Sequence, residues 1–294
     1  MSETASPPVM IGLRLPDVDV WSERVAVALG QNPSPFTGPG TNTYLVGTGR
    51  RRLLLDPGEG RPAYLGVLER ALEAAGCDGI EAIVLTHGHP DHMGGVRSVL
   101  ERFGEVPVWK LPWPEVDASY DVALRPLADG GRVRTQGATL RALHTPGHAP
   151  DHLCFALEEE GALFSGDNVL GVGTTVLPLG TGDLAAYMAS LERMLAARPG
   201  RIYPAHGPRI EDGAAKIREY LAHRRAREAE ILAALGPEPR SVQDLVAQVY
   251  AGYPASLHAA AAQSATHHLR KLEREGRARR DGGSEPLEAR WRRA

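Results

Sequence analysis

The stretch Thr86-His87-Gly88-His89-Pro90-Asp91-His92 constrains this chain more than any other. Three imidazoles and a carboxylate fall between an apolar run, Ile83-Val84-Leu85, that reads as a buried strand, and a helix start at Met93-Gly94-Gly95. Burying polar groups without partners is unfavourable and a surface turn has no need of histidines, so packing supplies no reason for the cluster. A metal ion does, because zinc takes neutral imidazole nitrogen and carboxylate oxygen at roughly 2.0–2.1 Å. The chain is therefore expected to fold so that this turn delivers ligands to one point.

Further polar residues stand at the ends of apolar runs. Leu53-Leu54-Leu55 ends at Asp56-Pro57-Gly58, where a carboxylate either accepts the second N–H of a neighbouring histidine or simply forms the turn. Leu140 to His144 leads to Thr145-Pro146-Gly147-His148, Ala162 to Gly166 to Asp167, and Ile202 to Ala205 to His206. Helices are expected over Pro62 to Gly76, with Leu65, Leu68 and Leu72 on one face, over Val96 to Gly104, and from Asp183 with Leu184, Tyr187, Met188, Leu191 and Leu195 as a core stripe. Additional strands are expected at Arg24 to Leu29, Thr41 to Val46, Val106 to Trp109 and Val122 to Leu127. The loops Asn32 to Gly40 and Gly171 to Thr181 are expected to line the pocket.

From Glu211 to Leu235 the pattern is a long charged helix, broken by Gly236-Pro237-Glu238-Pro239. Ser241 can cap a following helix; a second runs from about Ser256 to Glu275, and a hairpin over Arg277 to Arg292 turns at Asp281-Gly282-Gly283. Helix, helix, hairpin resembles a winged-helix module. The expected division is 1–212 for the body and 213–294 for a linking helix plus this module. His258, His267 and His268 read as surface or core residues. Residues 213–294 carry 15 Lys and Arg against 10 Asp and Glu, leaving 18 against 26 in the remainder of a chain whose net charge is -3. A basic tail on an acidic body suits either an anionic partner or a solvated helical face.

The chain of 294 residues can bury a sizeable core. No apolar run reaches the roughly 18 residues of a membrane span, and Met1 to Met10 lacks a signal pattern, so a cytoplasmic location is expected. Only Cys77 and Cys154 are present, which leaves no thiolate zinc site and suits a reducing compartment.

The candidate ligands are His87, His89, Asp91, His92, His148, Asp167 and His206. One metal accommodates about four ligands, so this set points to two adjacent ions sharing a carboxylate. Two such ions can hold a bridging hydroxide, with the pKa of water lowered from ~15.7 toward ~7, and polarise the scissile group. Zinc is expected, and His and Asp also accept manganese or iron.

H-x-H-x-D-H at 87–92, followed by His148 in T-P-G-H, Asp167 in S-G-D and His206 in A-H-G, resembles the metallo-β-lactamase superfamily over roughly residues 20–212. The resemblance implies an α/β fold, an αβ/βα sandwich of two facing sheets with helices outside and metals at one edge. It implies one zinc on His87, His89 and His148, a second on Asp91, His92 and His206, and Asp167 bridging, with Asp91 and Asp167 as catalytic carboxylates. Asp56 matches a second-layer aspartate. Asp167 stands where well-known zinc β-lactamases use cysteine, which speaks against antibiotic hydrolysis. His89 stands where flavin-di-iron relatives use glutamate, which speaks against oxygen reduction. The segments 40–47, 145–152 and 203–208 resemble the β-lactamase-like protein 2 group; His152 falls on that group's pattern, which implies either a second-layer or substrate contact or a structural histidine, and Asn42 is a further second-layer or substrate candidate. The group's animal member is an endoribonuclease on single-stranded RNA, and related bacterial and fungal proteins include thioesterases. The expected function is accordingly a zinc phosphodiesterase acting on single-stranded RNA. The alternatives are a thioester or lactone hydrolase of glyoxalase II type and a nucleic-acid-binding protein with a structural metal.

Overall fold

The computed structural model describes residue 10 and residues 12–283 and 287–294. Seven strands form the first sheet in sequential order: β1 (Val18–Ser22), β2 (Val25–Leu29), β3 (Asn42–Val46), β4 (Arg51–Leu55), β5 (Gly79–Val84), β6 (Val108–Lys110) and β7 (Leu124–Pro126). The second contains β8 (Arg132–Thr135), β9 (Ala138–His144), β10 (Leu153–Leu157), β11 (Ala162–Gly166) and β12 (Arg201–Pro204), ordered β12-β11-β10-β9-β8.

Strand direction matters for the site. β4 and β5 pair in parallel. β10 is antiparallel to both β9 and β11, and β11 is parallel to β12, so β9, β11 and β12 also point the same way. The polar tips therefore all follow the carboxyl ends of strands.

Alternation along the strands decides what packs where. Val25, Val27, Tyr44, Leu53, Leu55 and Val84 of the first sheet meet Leu140, Ala142, Leu153, Phe155 and Phe164 of the second to form the central core. The opposite face of the first sheet, with Ala26, Leu45, Leu54 and Ile83, is covered by α1 (Tyr64–Ala74) and, beyond the short α2 (Pro90–Met93), by α3 (Val96–Phe103). After α4 (Pro114–Asp117), helices α5 (Leu184–Ala196) and α6 (Gly213–Ala234) cover Leu143, Cys154, Leu163 and Ile202 on the outer face of the second sheet. The expected αβ/βα sandwich is the observed one.

The C-terminal module contains α7 (Val242–Val249), α8 (His258–Arg274) and a small sheet ordered β13-β15-β14, from β13 (Arg240–Ser241), β14 (Ala278–Asp281) and β15 (Arg290–Arg293). Ser241 caps α7 in a capping box with Asp244. Trp291, Leu245, Leu269 and Leu272 fill the module's core. Here α6 does more than link: Ile217, Tyr220 and Leu221 belong to the body, whereas Ile231 and Ala234 belong to the module. The hairpin differs from expectation, since Asp281 is itself paired with Arg290 and the connection runs over 282–289, of which 284–286 lie outside the described residues. Among the described residues no helix is long and apolar enough to cross a membrane.

Candidate metal centre

All seven candidate ligands converge. His87 and His89 follow β5, Asp91 and His92 lie on α2, and His148, Asp167 and His206 follow β9, β11 and β12. Two groups of donors emerge, each with ligand atoms within 4.8 Å of one another: His87, His89, His148 and Asp167, and Asp91, His92, Asp167 and His206. Asp167 is common to both. His148 Nε2 lies 3.3 Å from Asp167 Oδ2, whereas His92 Nε2 and His206 Nε2 lie 3.3 Å and 3.1 Å from Asp167 Oδ1. Glycine is needed where the backbone turns tightly: at Gly147, with φ of +129°, a Cβ would fall 2.4 Å from Tyr187 N.

A second layer fixes the ring orientations. Asp56 Oδ1 accepts from Thr86 N at 2.8 Å, and its Oδ2 accepts from Thr86 Oγ1 at 2.7 Å and from His92 Nδ1 at 2.9 Å. Thr86 Oγ1 is then left to accept from His87 Nδ1 at 2.9 Å. His148 Nδ1 donates to Val176 O at 2.8 Å, and His206 Nδ1 to Gly40 O at 3.5 Å. With Nδ1 occupied as a donor in all four rings, each Nε2 faces the centre.

The remaining two sequence candidates stand behind the ligands. His152 is fully buried, and its Nε2 accepts from Asp167 N at 3.1 Å. Asn42, also buried, donates to Pro204 O at 2.9 Å and Gly207 O at 2.8 Å, on either side of His206. Both are buried behind the candidate ligands.

The electrostatics divide the cluster. Burial, reinforced by neighbouring imidazoles, pushes His87 well below its ordinary pKa and His89 down to about 4, so these rings are neutral donors. For His92 and His206 burial acts in the same sense, but the nearby carboxylates, chiefly Asp91 for the former and Asp167 for the latter, outweigh it: His92 is well above its ordinary value and His206 is raised to about 9. Positive charge is wanted between these groups. His92 Nε2 and Asp167 Oδ1 are buried without a hydrogen bond, which an ion placed between them would resolve. Donor types, orientation and orphaned atoms all fit metal ions.

Sequence reasoning missed a buried charge network beside this centre. Lys110 at the end of β6 lies 2.7 Å from Asp117 Oδ1 and 2.7 Å from Asp151 Oδ2 and donates to Leu111 O. A Cβ on Gly88, between two ligand histidines, would sit 2.9 Å from Val116 and close to Lys110 and Asp151. The signal existed, since Lys110 is a polar tip on an apolar strand like Asp56. Cys154, with its thiol pushed up to about 12 by burial, is a core residue.

Facing sheets with imidazole and carboxylate donors gathered at the strand ends form the scaffold of a metal-dependent hydrolase. Residues 36–206 match the family described as Metallo-beta-lactamase superfamily, and residues 241–291 match the Beta-lactamase associated winged helix domain. The chain belongs to the metallo-beta-lactamase superfamily. It is 41% identical over 280 residues to the Beta-lactamase-like protein 2 homolog of Drosophila melanogaster, covering 90% of this chain and 93% of that one. It is 44% identical over 244 residues to the Atrochrysone carboxyl ACP thioesterase of Claviceps purpurea (strain 20.1), covering 80% and 75% respectively. The crystal structure of a metallo-beta-lactamase family protein from Thermus thermophilus superposes with a TM-score of 0.76 at 26% identity, covering 94% of this chain and all of that one.

Proposed function

We propose that His87, His89 and His148 hold one divalent ion, that Asp91, His92 and His206 hold a second, and that Asp167 serves both, in a hydrolase acting on thioesters. The single observation carrying this reading is the pair of donor groups sharing Asp167. Zinc suits such a set of imidazoles and carboxylates. Ions held there would lower the pKa of a nearby water and polarise the scissile group. The chain's own residues do the rest. Asp56, Thr86 and His152 orient the donors, and Asp91, with 23% of its side chain exposed against 11% for Asp167, is the carboxylate placed to exchange a proton at the opening.

The acidic body favours a thioester over a polyanion. The excess of five positive charges on the C-terminal segment is met in part by acids of the body, Arg274 pairing with Asp183 and Arg225 with Glu192. What remains of the body is acidic, which repels phosphates. The thioesterase name of the 44% identical Claviceps relative points the same way.

Zinc-loaded protein is expected to turn over acyl-thioesters at a rate that changes little between about 50 and 200 mM salt, and to lose that activity in Asp91→Asn. The reading is overturned if thioesters and lactones are inert while unstructured RNA is cut in a reaction that weakens steeply with salt.

A further inference from the structure

The segment after Asp167 is held from two sides. Residues 174–178 have no regular secondary structure, yet their carbonyls are allotted in alternation. Gly173 O accepts from Tyr220 Oη at 2.8 Å and Thr175 O from Arg224 Nη2 at 2.7 Å, both donors lying on α6. Leu177 O accepts from His267 Nε2 at 2.9 Å and Leu179 O from Arg270 Nη1 at 3.0 Å, both on α8. Val176 O points the other way, to His148 Nδ1 at 2.8 Å. With the carbonyls of Thr175 and Leu177 taken by α6 and α8, the Val176 carbonyl between them is the one presented to His148.

The anchors are not surface contacts. Arg224 and His267 are buried at 6% and 3% exposure, as are Thr175 and Leu177. His267, Arg270 and Arg274 share one face of α8 at spacings of three and four, and Arg274 continues the row by binding Asp183 through both carboxylate oxygens at 2.6 and 3.0 Å. In an isolated winged helix this helix face would be free for a groove of nucleic acid. Here the catalytic body occupies it.

We propose that the C-terminal module is a positioning element for the metal centre: through His267 and Arg270 it holds segment 175–179 so that Val176 O fixes the imidazole of His148. His267 and Arg270 are positioning residues, remote from substrate. A carbonyl acceptor for the second N–H of a ligand histidine orients the ring and raises its basicity, and loss of such a partner typically weakens metal affinity by about 10- to 100-fold. The inference rests on His148 being a ligand, as proposed above.

The test is chelator competition on the full-length protein, reading the affinity and stoichiometry of both ions. In His267→Ala/Arg270→Ala one ion is expected to weaken by about tenfold or more while the other is held as in the parent. His267→Gln, which retains a side-chain N–H, is expected to recover most of that loss, a rescue that a general packing defect would not give. Should the double variant fail to fold, Arg270→Ala alone, at a half-buried position, is read for the same selective weakening. Parent-like affinity for both ions in a folded variant overturns the proposal. His148→Ala separates the two readings: if it loses an ion and the module variants do not, only the positioning role falls, and if it loses none, the ligand assignment falls with it.

Discussion

A single carboxylate, Asp56, sets the direction of two imidazoles, one directly and one through Thr86. It does so from a left-handed backbone conformation, φ +51°, that aspartate tolerates better than most residues. Asp56→Ala strands three buried donors, Thr86 N, Thr86 Oγ1 and His92 Nδ1, and each unsatisfied group costs about 1–3 kcal/mol. Asn in its place would set an N–H where two of those donors meet. Both variants are expected to lower stability by at least about 2 kcal/mol in urea unfolding and to weaken the ion held by His92 by about tenfold or more. Parent-like affinity in Asp56→Ala would show that the relay does not matter. The carboxylate was legible as the polar tip of an apolar run. The relay through Thr86 was not, because a threonine ahead of a histidine has no pattern of its own. Of the Lys110 network only Lys110 itself carries a mark in the sequence, as a polar strand tip; its partners Asp117 and Asp151 are brought to it by the fold alone.

Elements were legible where they carry periodicity or chemistry. The helices α1, α3 and α5 announce themselves by apolar stripes, α6 by a long charged run ended by a Gly-Pro break, and the strands ahead of Asp56, His87, His148, Asp167 and His206 by the polar residue at each end. β1, β8, β10 and β13 lack that mark: β8 and the two-residue β13 are of mixed composition, and neither β1 nor Leu153–Leu157, apolar throughout, delivers a candidate ligand at its end. Sequence could not show that α8 faces inward, because its basic row reads equally well as a solvated face. That junction has a consequence in acid. Asp183 both caps α5, accepting from Ala186 N at 3.0 Å, and binds Arg274, which with the cap overcomes partial burial and holds its carboxyl down to about 2. A depressed carboxylate contributes stability that is present above its unfolded value near 3.9 and lost as pH falls through the folded value. Hydrogen exchange in segment 175–183 is therefore expected to accelerate as pH drops from about 4 toward 2, after correction for intrinsic rates. Asp183→Ala should cost about 1 kcal/mol at neutral pH through the lost cap and remove this acid dependence.

At the scale of the whole molecule, body and module share α6, and the candidate metal centre lies where both sheets end, so its charge balance bears on global stability. Asp56, Asp91 and Asp167 surround the same small volume, and without metal their charge is met by protons on His92 and His206. For histidines raised above their unfolded value, the stabilising protonation is complete below pH ~6.5 and disappears as pH rises through the folded value, about 9 for His206. Bound ions have no such dependence in that window, since their ligands are already deprotonated. Metal at one hundred times its dissociation constant adds about 2.7 kcal/mol, which for a chain of this length corresponds to a rise in Tm of roughly 5 °C. The chelated protein is thus expected to melt at least that much lower than the loaded protein at pH 7, with the gap widening toward pH ~9.5. Calorimetric scans of both forms across that range measure it. A gap that stays constant or narrows would mean that protons do not stand in for the ions between Asp91, Asp167 and His206, and that the carboxylates are balanced by some other part of the fold.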